Sequence, residues 1–371
     1  MTYTWHAVDL KTGKRGPQLQ MQQRGQVSRI IGEPTDAQNA VLCWDTTKGQ
    51  EVPEWRYWTQ PGRMLAVLVD DEDRPLWGGI IVRRIPDQTE WVPVAMATLE
   101  HYLDRRYSGG HTFTADDQAV IAGILVNATI ADDGVPFIID AEDTGVIRDR
   151  TYLDSEDKTT LSLLTDLMNI QDGLEFTVDL EWSDTSHTTL NYLFRIRQRI
   201  GRSLAQPVRF EHPGPVQSFS LPEDYTRENG ANDTMAVSSG EGDARPQSSH
   251  HVDTAALDAG WVRYERRWTP STSITEQSTL EAYAAEELAL KREGLRELSL
   301  VANLDTCPKL NADWWLGDDI TAAITSPAFP ARTGPDGELL PGYEQTVRVV
   351  GWTIDLEART LTPSVREYTD G

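Results

Sequence analysis

The sequence predicts an α+β fold rich in β structure, and three observations carry the prediction. Apolar and polar residues alternate with period two over many short runs in residues 1–100 and again in residues 208–371. Helical periodicity is confined to stretches near residues 120, 165 and 285. The clearest stretch, residues 159–199, runs through a helix, a glycine stop and two alternating strands. The predicted order is therefore a β region, an α+β helix-hairpin region, and a second β region with one helix inserted.

In the first region a strand spans residues 3–10 and ends at Thr12-Gly13-Lys14. Short strands follow at 27–31 and 40–44. The turn Gln60-Pro-Gly-Arg63 leads into the apolar run 64–70, long enough for a central strand. Asp70-Asp-Glu-Asp73 makes a polar tip, and Leu76-Trp-Gly-Gly-Ile-Ile-Val82 returns as the partner strand. Gly78 and Gly79 mark a bulge or a close backbone approach. Residues 91–99 form another strand. Short strands separated by turns imply a small barrel or sandwich.

Residues 101–107 read as a connector. Asp116-Asp117 caps a helix whose apolar face is Val120, Ile121, Ile124, Leu125 and Ala128. Residues 137–139 form a short strand. A helix over 160–171 then carries Leu161, Leu164 and Met168 at helical spacing, widened by Leu163, Leu167 and Ile170. Asp172-Gly173 stops it. Leu174, Phe176, Val178, Leu180 and Trp182 alternate with Glu175, Thr177, Asp179 and Glu181. Beyond a polar loop, Leu190, Tyr192, Phe194 and Ile196 alternate with Asn191, Arg195, Arg197 and Arg199. An acidic polar face opposite a basic one favours an antiparallel pair in that register.

Strands are expected at 208–211, 216–221, 233–237 and 261–268, with a polar, mobile loop over 238–250. Ser278 and Glu281 form a capping box that opens a helix over 279–293. Leu280, Tyr283, Ala284 and Leu288 lie on its buried face, and Glu287 pairs with Lys291. Strands at 295–302, 319–324, 345–354 and 360–366 complete the region. Residues 326–343, rich in Pro and Gly, form a long loop.

A chain of 371 residues suits two or three domains, and twelve tryptophans supply ample material for packed cores. With 34 basic and 58 acidic side chains the net charge is −24, which argues against gripping nucleic acid phosphates or an anionic membrane surface. Such a charge remains compatible with DNA passing through a repelling channel. No run approaches the length of a membrane helix, and the segment Met1–Trp5 lacks the pattern of a signal peptide. Cys43 and Cys307 belong to no CxxC pair, and Cys43 is expected to be a reduced core residue.

Catalytic patterns are absent: no GxSxG, no phosphate-cradling GxxxxGK[ST], no HExxH. Gly240-Glu-Gly242 lacks a third glycine. His250-His251 with Asp253 is the one histidine cluster, and solvated loop histidines are expected there rather than a metal. The Asp70–Asp73 run lacks the spacing of a calcium loop and reads as a solvated tip. Asp132-Asp133 and Asp318-Asp319 would serve glycosidase chemistry only if placed across a cleft, and the second pair reads as a turn into a strand. Trp314-Trp315 and Trp55-Arg-Tyr-Trp58 suit either sugar stacking or a core. No catalytic, cofactor-binding or metal-binding residue is assigned, and no cofactor is expected.

Four segments resemble the tail-hub, or baseplate-hub, proteins of long-tailed bacteriophages, often labelled minor tail proteins. They are the Trp77-Gly-Gly-Ile80 hairpin; the helix over 117–130 with that over 160–171 and Gly173-Leu-Glu-Phe-Thr-Val178; Asn232-Asp-Thr-Met-Ala-Val-Ser-Ser-Gly-Glu-Gly242; and the helix over 279–292 with its strand and Leu316-Gly-Asp-Asp-Ile-Thr321. The resemblance rests on their order along nearly the whole chain. It implies two barrel-like tube domains, 1–100 and 208–371, the second with the inserted helix 279–293, separated by the helix-hairpin domain 101–207. It also implies a homotrimer whose pseudo-sixfold ring joins the tail tube to the tip. The implied partners are distal tail and tail tube proteins, the tape-measure protein, and tip or receptor-binding proteins. DNA would meet it only in transit, with no membrane anchoring. The runner-up readings are a carbohydrate- or cell-wall-binding tail protein and the hub of a contractile injection system.

Overall fold

The structure is a computed structural model that describes residues 2–23, 25–43, 55–86, 88, 91–131, 133–170, 172–238, 245–270 and 277–366. Trp44, Asp132, Gln171, the Gly240–Gly242 triplet and the centre of the 238–250 loop lie outside the described residues. The fold is α+β and rich in strands. Its described residues divide into two compact units, those within 2–218 with 300–366 and those within 219–299.

The larger unit opens with β1 (Thr4–Asp9), β2 (Arg15–Leu19), β3 (Met21–Gln23), β4 (Gln26–Ile30) and β5 (Asp36–Cys43). The short α1 (Trp55–Trp58) precedes β6 (Met64–Val69), β7 (Pro75–Arg84) and β8 (Trp91–Thr98). The expected central strand is one: every residue of β6 is buried. It pairs antiparallel with β1 and β7, so both its edges are satisfied.

The region expected as a connector holds the short helix α2 (Glu100–Leu103), followed by β9 (His111–Asp117), which had no clear alternation. Helix α3 (Gln118–Ile130) is capped by Asp117, whose side chain accepts from the Ala119 amide. Its buried face differs from the expected one. Ala119, Ile121, Ala122, Leu125 and Val126 point inward, whereas Val120 and Ile124 are each 42% exposed. The helix is apolar nearly all round, so periodicity could not select a face. Gln118 settles it, because its buried amide donates to the Asp172 carbonyl and to Gln198.

Strands β10 (Phe137–Ala141) and β11 (Ile147–Tyr152) lead to α4 (Thr160–Met168) and then β12 (Glu175–Trp182) and β13 (Leu190–Arg197). The hairpin forms as the expected antiparallel pair: Glu175 faces Arg197, Val178 faces Phe194 and Trp182 faces Leu190. Strand β10 adds in parallel on the far side of β13. Phe176 stacks on Phe194 at 5.6 Å, and Phe137 meets the same ring edge-on at 5.7 Å. Leu163, Leu164 and Leu167 of α4 join this cluster together with Val8, Leu65 and Val67 of the main sheet. Burying each such side chain contributes on the order of 1.5–3 kcal/mol.

Strands β14 (Val208–His212) and β15 (Val216–Ser220) then lead into the smaller unit. That unit contains β16 (Glu223–Asp224), β17 (Asp233–Ala236), β18 (His251–Val252), α5 (Thr254–Asp258), β19 (Glu265–Trp268), α6 (Gln277–Lys291) and β20 (Leu295–Arg296). Strand β17 is buried throughout, lies between β18 and β19, and packs through Ala236 on Leu280 and Ala284 of α6. The strand expected over 261–268 is confined to β19. The Asn232 side chain holds its lead-in by bonding the Val262 carbonyl and the Tyr264 amide.

Helix α6 begins one residue before Ser278, and the expected capping box does not form as read. Glu281 accepts instead from the Ser249 amide and hydroxyl and from His251. Likewise Glu287 takes Arg266, while Lys291 donates to the Glu228 carbonyl.

The chain returns to the larger unit with β21 (Ser299–Asn303), β22 (Asp319–Ile324), the small hairpin β23 (Arg332–Thr333) and β24 (Leu339–Leu340), β25 (Tyr343–Asp355) and β26 (Thr360–Arg366). The long β25 joins the two β regions. It pairs with β22 through Tyr343–Arg348, and with β4 through Gly351–Asp355. The result is one 14-stranded sheet whose path runs β15-β21-β26-β25-β4-β5-β8-β7-β6-β1-β2, with β14, β22 and β3 off it. Cys43 and Cys307 are free and buried, and burial pushes the Cys307 thiol up to about 12, so that sulfur is unreactive near neutrality.

Candidate functional site

The polar face of the β12–β13 hairpin is held by paired charges. Arg195 reaches Asp179 at 2.6 Å, Asp140 at 2.6 Å and Glu181 at 2.7 Å. Arg197 reaches Asp140 at 2.8 Å and Glu142 at 3.0 Å. From the main sheet, the buried Arg29 extends to Asp179 at 3.0 Å, the Thr177 hydroxyl at 2.6 Å and the Val178 carbonyl at 2.7 Å. Arg348 of β25 grips Glu175 with both terminal nitrogens and donates to the Ile200 carbonyl at 2.8 Å. Arg199 and Arg202 bind Asp319 and Asp318, each at 2.6 Å. Gly201 and Gly317, both at positive φ, bring their backbones together there. A Cβ on Gly201 would lie 1.9 Å from the Gly317 carbonyl carbon. The seam locks the helix-hairpin region to the sheet.

A cleft of about 230 Å³ opens beside this seam between β7 and β12. Its walls include Trp77, Trp182, Trp315, Arg74, Glu100 and Leu180. Among the described residues, its arginines are already matched: Arg29 and Arg195 by Asp179, and Arg74 by Asp70 at 2.7 Å. The cleft supplies no nucleophile beside a base, and no group of three or more candidate metal ligands occurs among the described residues.

A second cluster gathers at the β6–β7 turn. Asp73, at positive φ, takes both terminal nitrogens of Arg15 at 2.6 and 2.7 Å and the His187 ring at 2.7 Å. Burial alone would raise its pKa, but the hydrogen bonds from Arg15 and His187 outweigh this and hold it below the usual carboxylate range. Arg15 also covers the Trp182 ring at 4.8 Å and donates to His6 Nε2 at 3.0 Å. Burial, reinforced by the Arg15 charge and opposed by Asp73, lowers the His6 pKa from 6.5 to about 4.

A histidine lowered in the folded state contributes stability that is complete above pH 6.5. That stability is lost as pH falls toward 4, because the unfolded chain takes up the proton first. The His6 ring should therefore titrate by NMR with a midpoint near 4, and His6→Asn should remove this part of the acid sensitivity. A midpoint at the ordinary value would show that the ring is neither desolvated nor held against Arg15.

The sequence candidates are dispersed. His250 binds the buried Asp233 at 2.7 Å, and His251 binds Glu281 at 2.7 Å, so the two rings serve different carboxylates, with His250 still exposed to solvent. Asp253 caps α5 through the Ala256 amide. The hydrogen bonds from Ser249 and His251 lower the Glu281 pKa to about 2. The acidic tip is solvated only in part: Asp71 and Glu72 are exposed, but Asp70 is buried and accepts from the Glu72 and Arg74 amides. Asp133 is an exposed partner of Lys11. Asp318 and Asp319 mark the turn into β22, as expected, and both are buried against arginines. Trp314 is fully buried on Phe210, whereas Trp315 is 38% exposed with Arg202 over its ring. Trp58 packs where Gly16 leaves room for it.

Sequence reasoning did not single out Arg29, Arg348 or Glu100. Arg29 carried a signal, since it stands in the apolar phase of its strand between Val27 and Ile31, both buried. A charge in that phase needs a partner from another element.

No family model matches the sequence, and no curated protein matches it. Solved structures do match. The 43 kDa tail protein of prophage MuSo2 from Shewanella oneidensis superposes with a TM-score of 0.57 at 10% identity, over 99% of this chain and 98% of that one. A tail protein from Neisseria meningitidis MC58 gives 0.54 at 11% identity, over 98% and 96% of the two chains. An E. coli component of the type VI secretion system, itself similar in structure to T4 bacteriophage tail proteins, gives 0.50 at 10% identity, over 95% and 74%. The chain thus has the fold of phage tail proteins.

Proposed function

We propose that this chain is a non-enzymatic structural protein of a phage virion, the hub of its tail tip. It acts as a homotrimer. Residues 1–100 and 208–371 supply two barrel-like domains per subunit to a pseudo-sixfold ring, and residues 101–207 decorate that ring or meet its neighbours. The ring joins the tail tube to the tip and contacts the distal tail, tape-measure and receptor-binding proteins. The observation that carries the reading is a likeness to phage tail proteins that runs from end to end of both chains.

Physical chemistry supports it. A net charge of −24 keeps DNA phosphates from adhering to a wall they must pass. Charges in the seam are matched to one another, as a load-transmitting scaffold requires and a catalyst does not. Sheet edges left open in one subunit are covered by assembly.

The test is mass by light scattering on the purified chain, then negative-stain imaging of the main peak. A trimer with a central hole is expected. A chain that stays monomeric at high concentration and is missing from purified tails would sink the proposal. Likeness to the type VI component favours a second reading, the hub of a contractile injection system. Recovery of the chain with a contractile sheath would select that reading.

A further inference from the structure

The geometry points to the Glu100 cleft as a docking site for an extended peptide segment of a partner protein. That segment would pair its backbone with the open edge of β12 and deliver a basic side chain to Glu100. Strand β12 is the edge of the three-stranded sheet β10-β13-β12. Its even-numbered residues turn their backbone groups away from β13. The Phe176 carbonyl accepts from the Gly32 amide at 2.9 Å. The Val178 amide donates to Glu100 Oε1 at 3.0 Å, and the Val178 carbonyl accepts from Arg29 at 2.7 Å. One carboxylate and one guanidinium thus stand in for a neighbouring strand at Val178.

The protection ends there. Leu180 and Trp182 follow in the same phase and line the cleft. Among the described residues, no hydrogen bond reaches their outward amides or carbonyls. Such an edge is a template for a further strand.

Glu100 supplies the specificity. It is 2% exposed and lines the cleft. Among the described residues its carboxylate makes one hydrogen bond, to Val178, and no ion pair. Each arginine of the cleft already holds another carboxylate, so among the described residues Glu100 is the one cleft carboxylate still lacking a cation. A buried charge in that state favours a ligand carrying the opposite one. The surplus of acidic residues over the whole chain adds long-range attraction for a basic segment. The cleft volume admits a side chain and a short stretch of backbone, not a folded element.

The test uses the full-length chain and does not depend on ring formation, so its failure leaves the hub reading untouched. Amide exchange is read first. The Val178 amide should be protected, and those of Leu180 and Trp182 should exchange freely. Protection of all three would mean that the edge is already closed, and would overturn the proposal. The probes are then the peptides acetyl-Thr-Arg-Val-Thr-amide and acetyl-Thr-Glu-Val-Thr-amide, titrated while the Leu180 and Trp182 amide resonances are followed. The arginine peptide should shift both in a saturable way. The glutamate peptide should bind at least about tenfold more weakly. Glu100→Gln, which keeps an acceptor for the Val178 amide, should weaken the arginine peptide by a similar factor. Equal responses to the two peptides, or no response at these amides, would overturn the proposal.

Discussion

Arg348→Met should lower the free energy of unfolding by about 3–5 kcal/mol, read as a lower midpoint in urea at unchanged slope. Arg348 is 8% exposed and holds Glu175 through both terminal nitrogens. Glu175 in turn accepts from the Ile200 amide at 2.7 Å. Removing the guanidinium leaves a carboxylate without its cation in a site that water barely reaches. It also strips a donor from the Ile200 carbonyl. The expected size comes from that stranded charge, not from the worth of the pair. The double variant Arg348→Met with Glu175→Met should accordingly regain most of the loss, since an apolar pair of similar volume avoids the desolvation of both ions. A single variant that costs less than about 1 kcal/mol would place the pair in the class of exposed ion pairs and remove the seam as a structural lock.

Trp314→Ala should cost about 3–5 kcal/mol and leave glycan binding unchanged. The Trp314 side chain is fully buried, meets Phe210 edge-on at 5.9 Å and donates to the Pro308 carbonyl at 3.0 Å. Its loss leaves a cavity beneath β14 and an unmet acceptor. A sugar platform behaves in the opposite way: truncation would abolish binding on a glycan array while the urea midpoint stayed in place. That result would restore the carbohydrate reading.

Much of the frame was legible because its signals were local. Period-two alternation located β12 and β13, and the opposed charges of their polar faces anticipated the antiparallel pairing in which Glu175 meets Arg197. The all-apolar run at 64–69 announced a strand satisfied on both sides, and β6 is one. Asp117 was read as a cap and caps α3. The errors have physical causes of equal locality. The apolar excess of α3 left its buried face undetermined until Gln118 found the Asp172 carbonyl. The capping box at Ser278 failed because Glu281 had better partners in Ser249 and His251, far away in sequence.

The cleft was not legible, since no local pattern marks it. Glu100 follows an ordinary strand, and Leu180 continues an ordinary alternation. What distinguishes them is that Glu100 caps Val178 of β12, 78 positions away, and stops short of Leu180. Alternation, helical spacing and turn residues are properties of neighbours in the chain, and they determine which elements form and which face of each strand is apolar. The joining of the two β regions through the two halves of β25, the arginine partners across the seam, and the open edge of β12 arise from contacts between residues that are not neighbours in the chain, some of them more than a hundred positions apart. Those contacts are selected by packing and by the cost of leaving a buried charge unmatched, and neither quantity exists until the chain has folded.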